Sequence, residues 1–235
     1  MGKLRSFADP MQIVSGRPGR EKVHYRAPDS AQVPAEMKQF IQWFNRPGKL
    51  DQIIRAAIAH VWFETIHPFE DGNGRIGRAI IDLVIAQDLQ QPLWLCNMSR
   101  QLQKNRSAYY DQINAAQSGN LDITEWLRWF IEQFAATCQQ SNQAIDLAIE
   151  KAHFWQSHDE NLLNPRQRKT LKKLLDAGDG GYLGGMTADK HCKITGASKA
   201  TATRDLTDLV QKGALLVVGQ GKSTSYVVNV KGWNE

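Results

Sequence analysis

The stretch His67-Pro68-Phe69-Glu70-Asp71-Gly72-Asn73-Gly74-Arg75-Ile76-Gly77-Arg78 decides how this chain is read. Gly72-Asn73-Gly74 can adopt positive φ and expose successive backbone N–H groups. Residues Arg75 to Asp88 are spaced as a helix, so Arg75 and Arg78, three apart, share a face. A glycine-rich turn running into a helix N-terminus is an anion site, because unpaired N–H groups and the helix dipole both favour negative charge. Two arginines beside it point to a polyphosphate rather than a single carboxylate. Asp71, in the same turn, can hold a Mg²⁺ that bridges phosphate oxygens. His67 is then the one group left that takes a proton near neutral pH. Each feature alone is ordinary, since a Gly-Asn-Gly turn is usually only a turn and paired arginines are usually a solvated face. Their coincidence in one short segment is what singles it out.

His67 to Arg78 resembles the Fic-domain signature, His-Pro-Phe-x-Asp/Glu-Gly-Asn-Gly-Arg-x-x-Arg, at every fixed position, and the resemblance runs from about Met11 to about Gln140. It implies a mainly α fold, a Fic-type helical domain with a β-hairpin flap. It also implies transfer of AMP from ATP to a Ser, Thr or Tyr hydroxyl of a target protein, with pyrophosphate leaving. In that reading His67 is the base and Asp71 the Mg²⁺ ligand. Gly72, Asn73 and Gly74 receive the phosphates, with the Asn73 amide orienting the α-phosphate. Arg75 and Arg78 steady the β- and γ-phosphates. Val23, His24 and Tyr25 fall where the family's flap borders the nucleotide. Tyr110 and Gln117 fall where an aromatic and an amide border the adenine. His60 and Glu64 are read as structural. The same motif serves other nucleotides, phosphocholine transfer and removal of AMP, and the sequence does not separate these. A DNA-binding regulator with a Fic-like sensor is the rival from another class.

Working outward, Met11-Gln12-Ile13-Val14 and Glu21 to Tyr25 are β-like runs about a Gly/Pro turn, read as the flap. Pro34 opens a helix with Met37, Phe40, Ile41 and Phe44 inward, and Asp51 caps the next. That helix has a buried stripe of Ile54, Ala57, Ile58, Val61, Trp62 and Thr65. Beyond the motif Gln91-Pro92 breaks the chain, Ser99 caps a helix to about Ser118, and Ile123 begins a long apolar helix.

Residues 1–10 lack periodicity and are expected to be loose, 11–140 to be the Fic domain, 141–161 a linker helix, and 162–235 a separate domain. Helices at Pro165–Ala177 and about Thr187–Lys193, a third capped by Ser198, and strands at Ala214–Val218 and Ser225–Val230 resemble a winged helix. Lys199, Thr201, Thr203 and Arg204 would be its exposed recognition face, whereas Asp205 and Asp208 argue against a strong DNA face. Such domains also serve protein interaction or dimerisation, so DNA and a homodimer both remain open.

Charge separates the same two parts. Residues 1–161 carry 17 Lys+Arg against 18 Asp+Glu, and residues 162–235 carry 12 against 6, so the net +5 comes from the last third. Cys96, Cys138 and Cys192 are scattered and read as reduced thiols of a cytoplasmic protein. Met1 to Ser6 fits a myristoylation pattern, read as a chance match because nothing else suggests a membrane. Many Fic proteins carry an inhibitory helix, Ser/Thr-x-x-x-Glu-Gly/Asn, whose glutamate would meet Arg78. Ser157 to Asn161 has the wrong spacing for it, so the expectation is a fragment of a longer protein or an inhibitor supplied in trans.

Overall fold

The computed structural model describes residues 2–7, 11–15, 17, 20, 22–46, 48–89, 97–179 and 181–233. The expected break at Gln91-Pro92, Cys96 and the side chain of His24 lie outside what is described. The chain divides into two units, Met1–Ser141 and Asn142–Glu235. No helix among the described residues is long and apolar enough to cross a membrane.

In the first unit, strands β1 (Gln12–Ser15) and β2 (Lys22–Arg26) pair antiparallel, as the two β-like runs predict. Ile13 faces Tyr25 and Val14 faces Val23, so the register shifts by one residue at His24. This bulge turns alternate side chains to new faces. Helix α1 (Val33–Phe44) starts at the expected proline, and α2 (Gln52–Ile66) is capped by Asp51, whose carboxylate accepts from the Ile53 N–H at 2.8 Å.

The sequence assigns α2 one buried stripe, but the helix is buried on nearly all sides. Ala59, Phe63 and Ile66 pack with Val33 and Phe40 of α1. Ala56, Ala57 and Val61 pack with Ile81, Val84 and Ile85 of α3 (Asn73–Leu89). The same cluster takes Met98 and Leu102 from α4 (Met98–Lys104), Tyr109 and Ile113 from α5 (Arg106–Ser118), and Trp126 and Phe130 from α6 (Thr124–Ser157). A helix enclosed by several others is apolar all round, which blurs the stripe on which periodicity depends.

Two boundaries differ from expectation. Asn97 rather than Ser99 caps α4, its Oδ1 accepting from the Arg100 N–H at 2.9 Å. The helix expected to continue to Ser118 breaks at Asn105, whose amide donates to the Gln133 side chain at 2.9 Å and to the Gln101 carbonyl at 3.3 Å. Asparagine competes for local backbone bonds, and here that competition ends one helix and begins the next.

The second unit contains the rest of α6, so residues 142–157 are more than a linker. Leu147, Phe154 and Trp155 pack with Leu171, Leu174 and Leu175 of α7 (Pro165–Ala177). Helices α8 (Ala188–Thr195) and α9 (Lys199–Gln211) follow, capped by Thr187 and Ser198. Strands β3 (Leu215–Val218) and β4 (Ser225–Val228) close an antiparallel hairpin, and Met186 bridges to Tyr226 beside it.

Asp205 is not on the exposed face where the sequence places it. It is buried and accepts from Arg166 at 2.7 and 3.1 Å and from Asn164 at 2.9 Å, with His191 Nε2 at 3.3 Å. One carboxylate thus ties α7, α8 and α9 together, whereas Asp208 stays partly exposed, paired with Lys212 at 2.5 Å and bonded by the Gln167 amide at 2.6 Å. Replacing Asp205 by Ala should destabilise the second unit, because Asn164, Arg166 and His191 lose their shared partner. Denaturant unfolding monitored by far-UV circular dichroism checks this.

Candidate active site

His67 ends α2 in the left-handed region, with φ 48° and ψ 60°, and its N–H donates to the Phe63 carbonyl at 3.0 Å. The carbonyls of a helix's last turn have no partner within the helix, and here they are buried. They are met from outside, one after another. Thr65 O accepts from the Tyr25 hydroxyl at 3.0 Å. Ile66 O and His67 O accept from Arg5, from Nη2 at 3.3 Å and from Nε at 2.9 Å. Pro68 O accepts from the Arg5 backbone N–H at 2.9 Å, and the same guanidinium reaches Pro28 O.

Arg5 is only 2% exposed, although it lies in the segment expected to be loose. A single arginine leaves no periodic trace, so the sequence gives no sign of it. The resemblance places Tyr25 at the nucleotide border, yet its hydroxyl is engaged on α2. Val23 of the same strand is half exposed.

The loop that follows is closed by Asn73. Its Nδ2 donates to Phe69 O at 2.7 Å, and its Oδ1 accepts from the Phe69 N–H at 3.0 Å. Asn73 is 2% exposed, so the amide expected to orient a phosphate is spent on the loop itself. Phe69 packs its ring near Phe63, at 6.4 Å between centroids, and anchors the turn in the core. Gly72, at φ +92°, supplies the conformation that leads into α3, and its carbonyl accepts from the Arg75 and Ile76 N–H groups. The first N–H groups of α3, at Asn73 and Gly74, have no carbonyl a turn behind them in the helix.

The charged groups are arranged unevenly. Asp71 and Arg75 are exposed and paired at 3.0 Å. Among the described residues no three His, Cys, Asp or Glu side chains gather as a metal cluster. One carboxylate with water and phosphate oxygens is nonetheless an ordinary Mg²⁺ set, so Asp71 fits as its single protein ligand. Arg78 lines a cleft of about 510 Å³ with Tyr110, Arg100 and Arg106, and the Arg106 guanidinium lies 5.5 Å from the Tyr110 ring centre. Two of the expected residues, Arg78 and Tyr110, thus meet at one opening. Gln117 differs in that both polar atoms of its amide are buried with no partner. Such a group normally finds one, and a ligand edge is a natural candidate.

Glu64, read from the sequence as structural, lies under His67. Burial pushes its carboxyl up to about 7, with Arg78 opposing. His67 is lowered by burial, partly offset by the Glu64 backbone carbonyl, and its Nδ1 has no hydrogen-bond partner. His60, expected in the core and found there, is pushed down to about 4 by burial, and its Nε2 lies 3.0 Å from the Tyr109 hydroxyl.

In the second unit the expected α9 face is partly engaged. Lys199 pairs with Asp189 at 3.0 Å, the Thr201 and Ser198 hydroxyls meet at 3.0 Å, and the Thr203 hydroxyl donates to Lys199 O at 3.0 Å. Arg204 is exposed beside Thr207 and Gln211.

Residues 3–85 match the model of the Fic/DOC family. The protein adenylyltransferase fic-1 of Caenorhabditis elegans is 30% identical over 170 residues, covering 71% of this chain and 31% of that protein. A probable protein adenylyltransferase of Aquifex aeolicus (strain VF5) is 30% identical over 95 residues, covering 40% of this chain and 27% of that one. The chain therefore spans about 30% of the length of these curated relatives. The crystal structure of a Fic family protein from Desulfovibrio desulfuricans G20 superposes with a TM-score of 0.51 at 18% identity, over 99% of this chain and 64% of that one. Together these support a Fic-type domain in the first unit, and the mainly helical architecture with its small hairpins matches a Fic fold.

The clamp at the end of α2 can be tested directly. Arg5→Ala should leave the carbonyls of Pro28, Ile66 and His67 short of a donor, lower the thermal midpoint, and speed amide exchange across residues 63–70. Hydrogen exchange read by mass spectrometry checks this, and unchanged exchange would show that Arg5 does not hold the helix end.

Proposed function

We propose that this chain is a protein adenylyltransferase that transfers AMP from ATP to a Ser, Thr or Tyr hydroxyl of a target protein. The observation that carries the reading is the loop from His67 to Arg78, where a largely enclosed histidine stands at a clamped helix end directly before a glycine turn and an open helix N-terminus. The names of the relatives support it. The triphosphate is received by the N–H groups at the start of α3, where the helix dipole also favours it. Arg75 and Arg78 steady the β- and γ-phosphates. Arg75 can pass from Asp71 to phosphate as the nucleotide arrives, which frees the carboxylate. Asp71 would then hold Mg²⁺, and the ion supplies neutralisation of phosphate charge. The buried unpartnered amide of Gln117 and the exposed ring of Tyr110 suit the edge and face of a purine.

The buried Nδ1 of His67 leaves Nε2 as the nitrogen for the acceptor hydroxyl. Nε2 takes the hydroxyl proton, the oxygen forms a bond to the α-phosphorus, the bond from that phosphorus to the bridging oxygen breaks, and pyrophosphate leaves. The protein's share is positioning and charge compensation, as in phosphoryl transfer generally. An inhibitory helix supplied in cis or in trans would act by giving Arg78 a carboxylate. His67→Ala should abolish AMP incorporation from labelled ATP while leaving ATP affinity by calorimetry within about twofold, since general-base assistance is a separate contribution from phosphate binding. Incorporation at the wild-type rate would sink the base assignment.

For the second unit we propose a winged-helix-like module that contacts nucleic acid through α9. The supporting observation is that Asp205 is withdrawn into the core and Asp208 is paired with Lys212, while Arg204 is exposed in a part of the chain with excess positive charge. Lys199→Ala with Arg204→Ala should weaken duplex DNA binding and reduce its salt slope by about 1–2, one for each phosphate no longer neutralised. A gel shift without binding at low salt would leave the protein-interaction or dimerisation reading.

A further inference from the structure

Glu64 stands three residues before His67 in the last turn of α2. Its Oε2 faces His67 Nδ1 at 3.9 Å, and both side chains are largely enclosed. Three buried atoms here have no hydrogen-bond partner: Glu64 Oε1, His67 Nδ1 and His60 Nδ1. Orphaned polar atoms are costly, and several of them together beside a reactive histidine mark a place where packing has been given up for something else. Gly77 of α3 makes the room. A Cβ there would collide with Glu64 Oε1 and come within 3.1 Å of the His60 ring. The charged and titratable groups facing the pair come from four elements: His60 on α2 itself, Arg78 from α3, Tyr109 from α5, and Arg5 from the N-terminal segment.

We propose that Glu64 is a positioning residue for His67, its oxygens holding the imidazole with the proton on Nδ1 and its carboxylate stabilising the imidazolium formed when Nε2 accepts the hydroxyl proton. This rests on the transfer reading above. The main-chain half of the device follows from Pro68. Pro68 has no N–H to offer, so the Glu64 carbonyl near the His67 ring takes no main-chain donor from it. A carbonyl only accepts, so a ring held by it carries its proton on the nitrogen that faces it. The side-chain half is the carboxylate, whose Oε2 lies 3.9 Å from His67 Nδ1. The Nδ1 proton stays on the ring throughout, and only the hydroxyl proton moves, from oxygen to Nε2. Because burial pushes Glu64 up to about 7, the charge next to His67 appears only as the pH passes neutrality.

The test reads the ring itself as well as the reaction. Protein labelled with ¹⁵N-histidine is titrated by NMR, the His67 signals being those missing from His67→Ala. The wild type should show the Nδ1–H tautomer at pH 8 and two inflections in the His67 shifts, the upper one near 7. Glu64→Gln should lose the upper inflection. Its kcat for AMP transfer should fall about 100-fold, at the lower end of general-base assistance, with KM for ATP changed by less than about twofold. Should that variant not fold, Glu64→Asp keeps the charge but withdraws it by one methylene, and a displaced upper inflection supports the proposal. A His67 titration that superimposes on the wild type in either folded variant overturns it. If the wild type transfers no AMP, the transfer reading fails by itself, and the titration still decides whether Glu64 governs the ring.

Discussion

The first unit depends on how the end of α2 is satisfied. A helix buried on nearly all sides cannot hand its last carbonyls to water, and a proline two residues past its end removes a donor as well. The chain answers with side chains from outside the helix, Tyr25 from the hairpin and Arg5 from a segment without regular structure. Since His67 is the residue at that end, the same bonds that make burial of α2 tolerable also fix the backbone of the residue proposed as the base. Stability and positioning are one set of hydrogen bonds here.

The approach of α2 and α3 is the second constraint. It brings the motif loop across the end of α2, and it is close because Gly77 has no side chain at the point where Glu64 and His60 lie. A third glycine, Gly74, leaves space for Arg78, whose Nη1 would lie 3.3 Å from a Cβ there. Glycines in the motif therefore have two separate uses. Gly72 supplies a backbone conformation, whereas Gly74 and Gly77 supply distance, and only the first is apparent from turn chemistry.

The parts legible in the sequence are those written locally. The motif, the hairpin strands, both ends of α7, and the caps at Asp51 and Ser198 each depend on neighbours a few residues away. What stays hidden depends on partners far along the chain. Arg5 bonds residues more than sixty positions on, Asp205 joins three helices, and Asn105 breaks a helix by reaching Gln133. Asn73 shows the limit from within the motif: its type fits a phosphate contact, but only the position of Phe69 reveals that its amide is occupied. Glu64 escapes for a related reason, since a carboxylate on a buried helix gives no periodic signal of what it faces.

The two buried carboxylates respond to acid in opposite senses. At Asp205 desolvation is outweighed by the bonds from Arg166 and Asn164, so its carboxyl is held below the usual range. The stability it contributes is present above that range and is lost as the pH falls through it. At Glu64 burial prevails and the carboxyl is held high, so its contribution is full below about 4.5 and is lost as the pH rises toward about 7. Acidification from neutrality to about 4.5 thus relieves the first unit of a buried charge, whereas the second unit keeps the bond at the junction of its helices until the pH falls below the ordinary carboxylate range. A shift in the acidity of its surroundings would reach this protein as a change in the balance between its two halves.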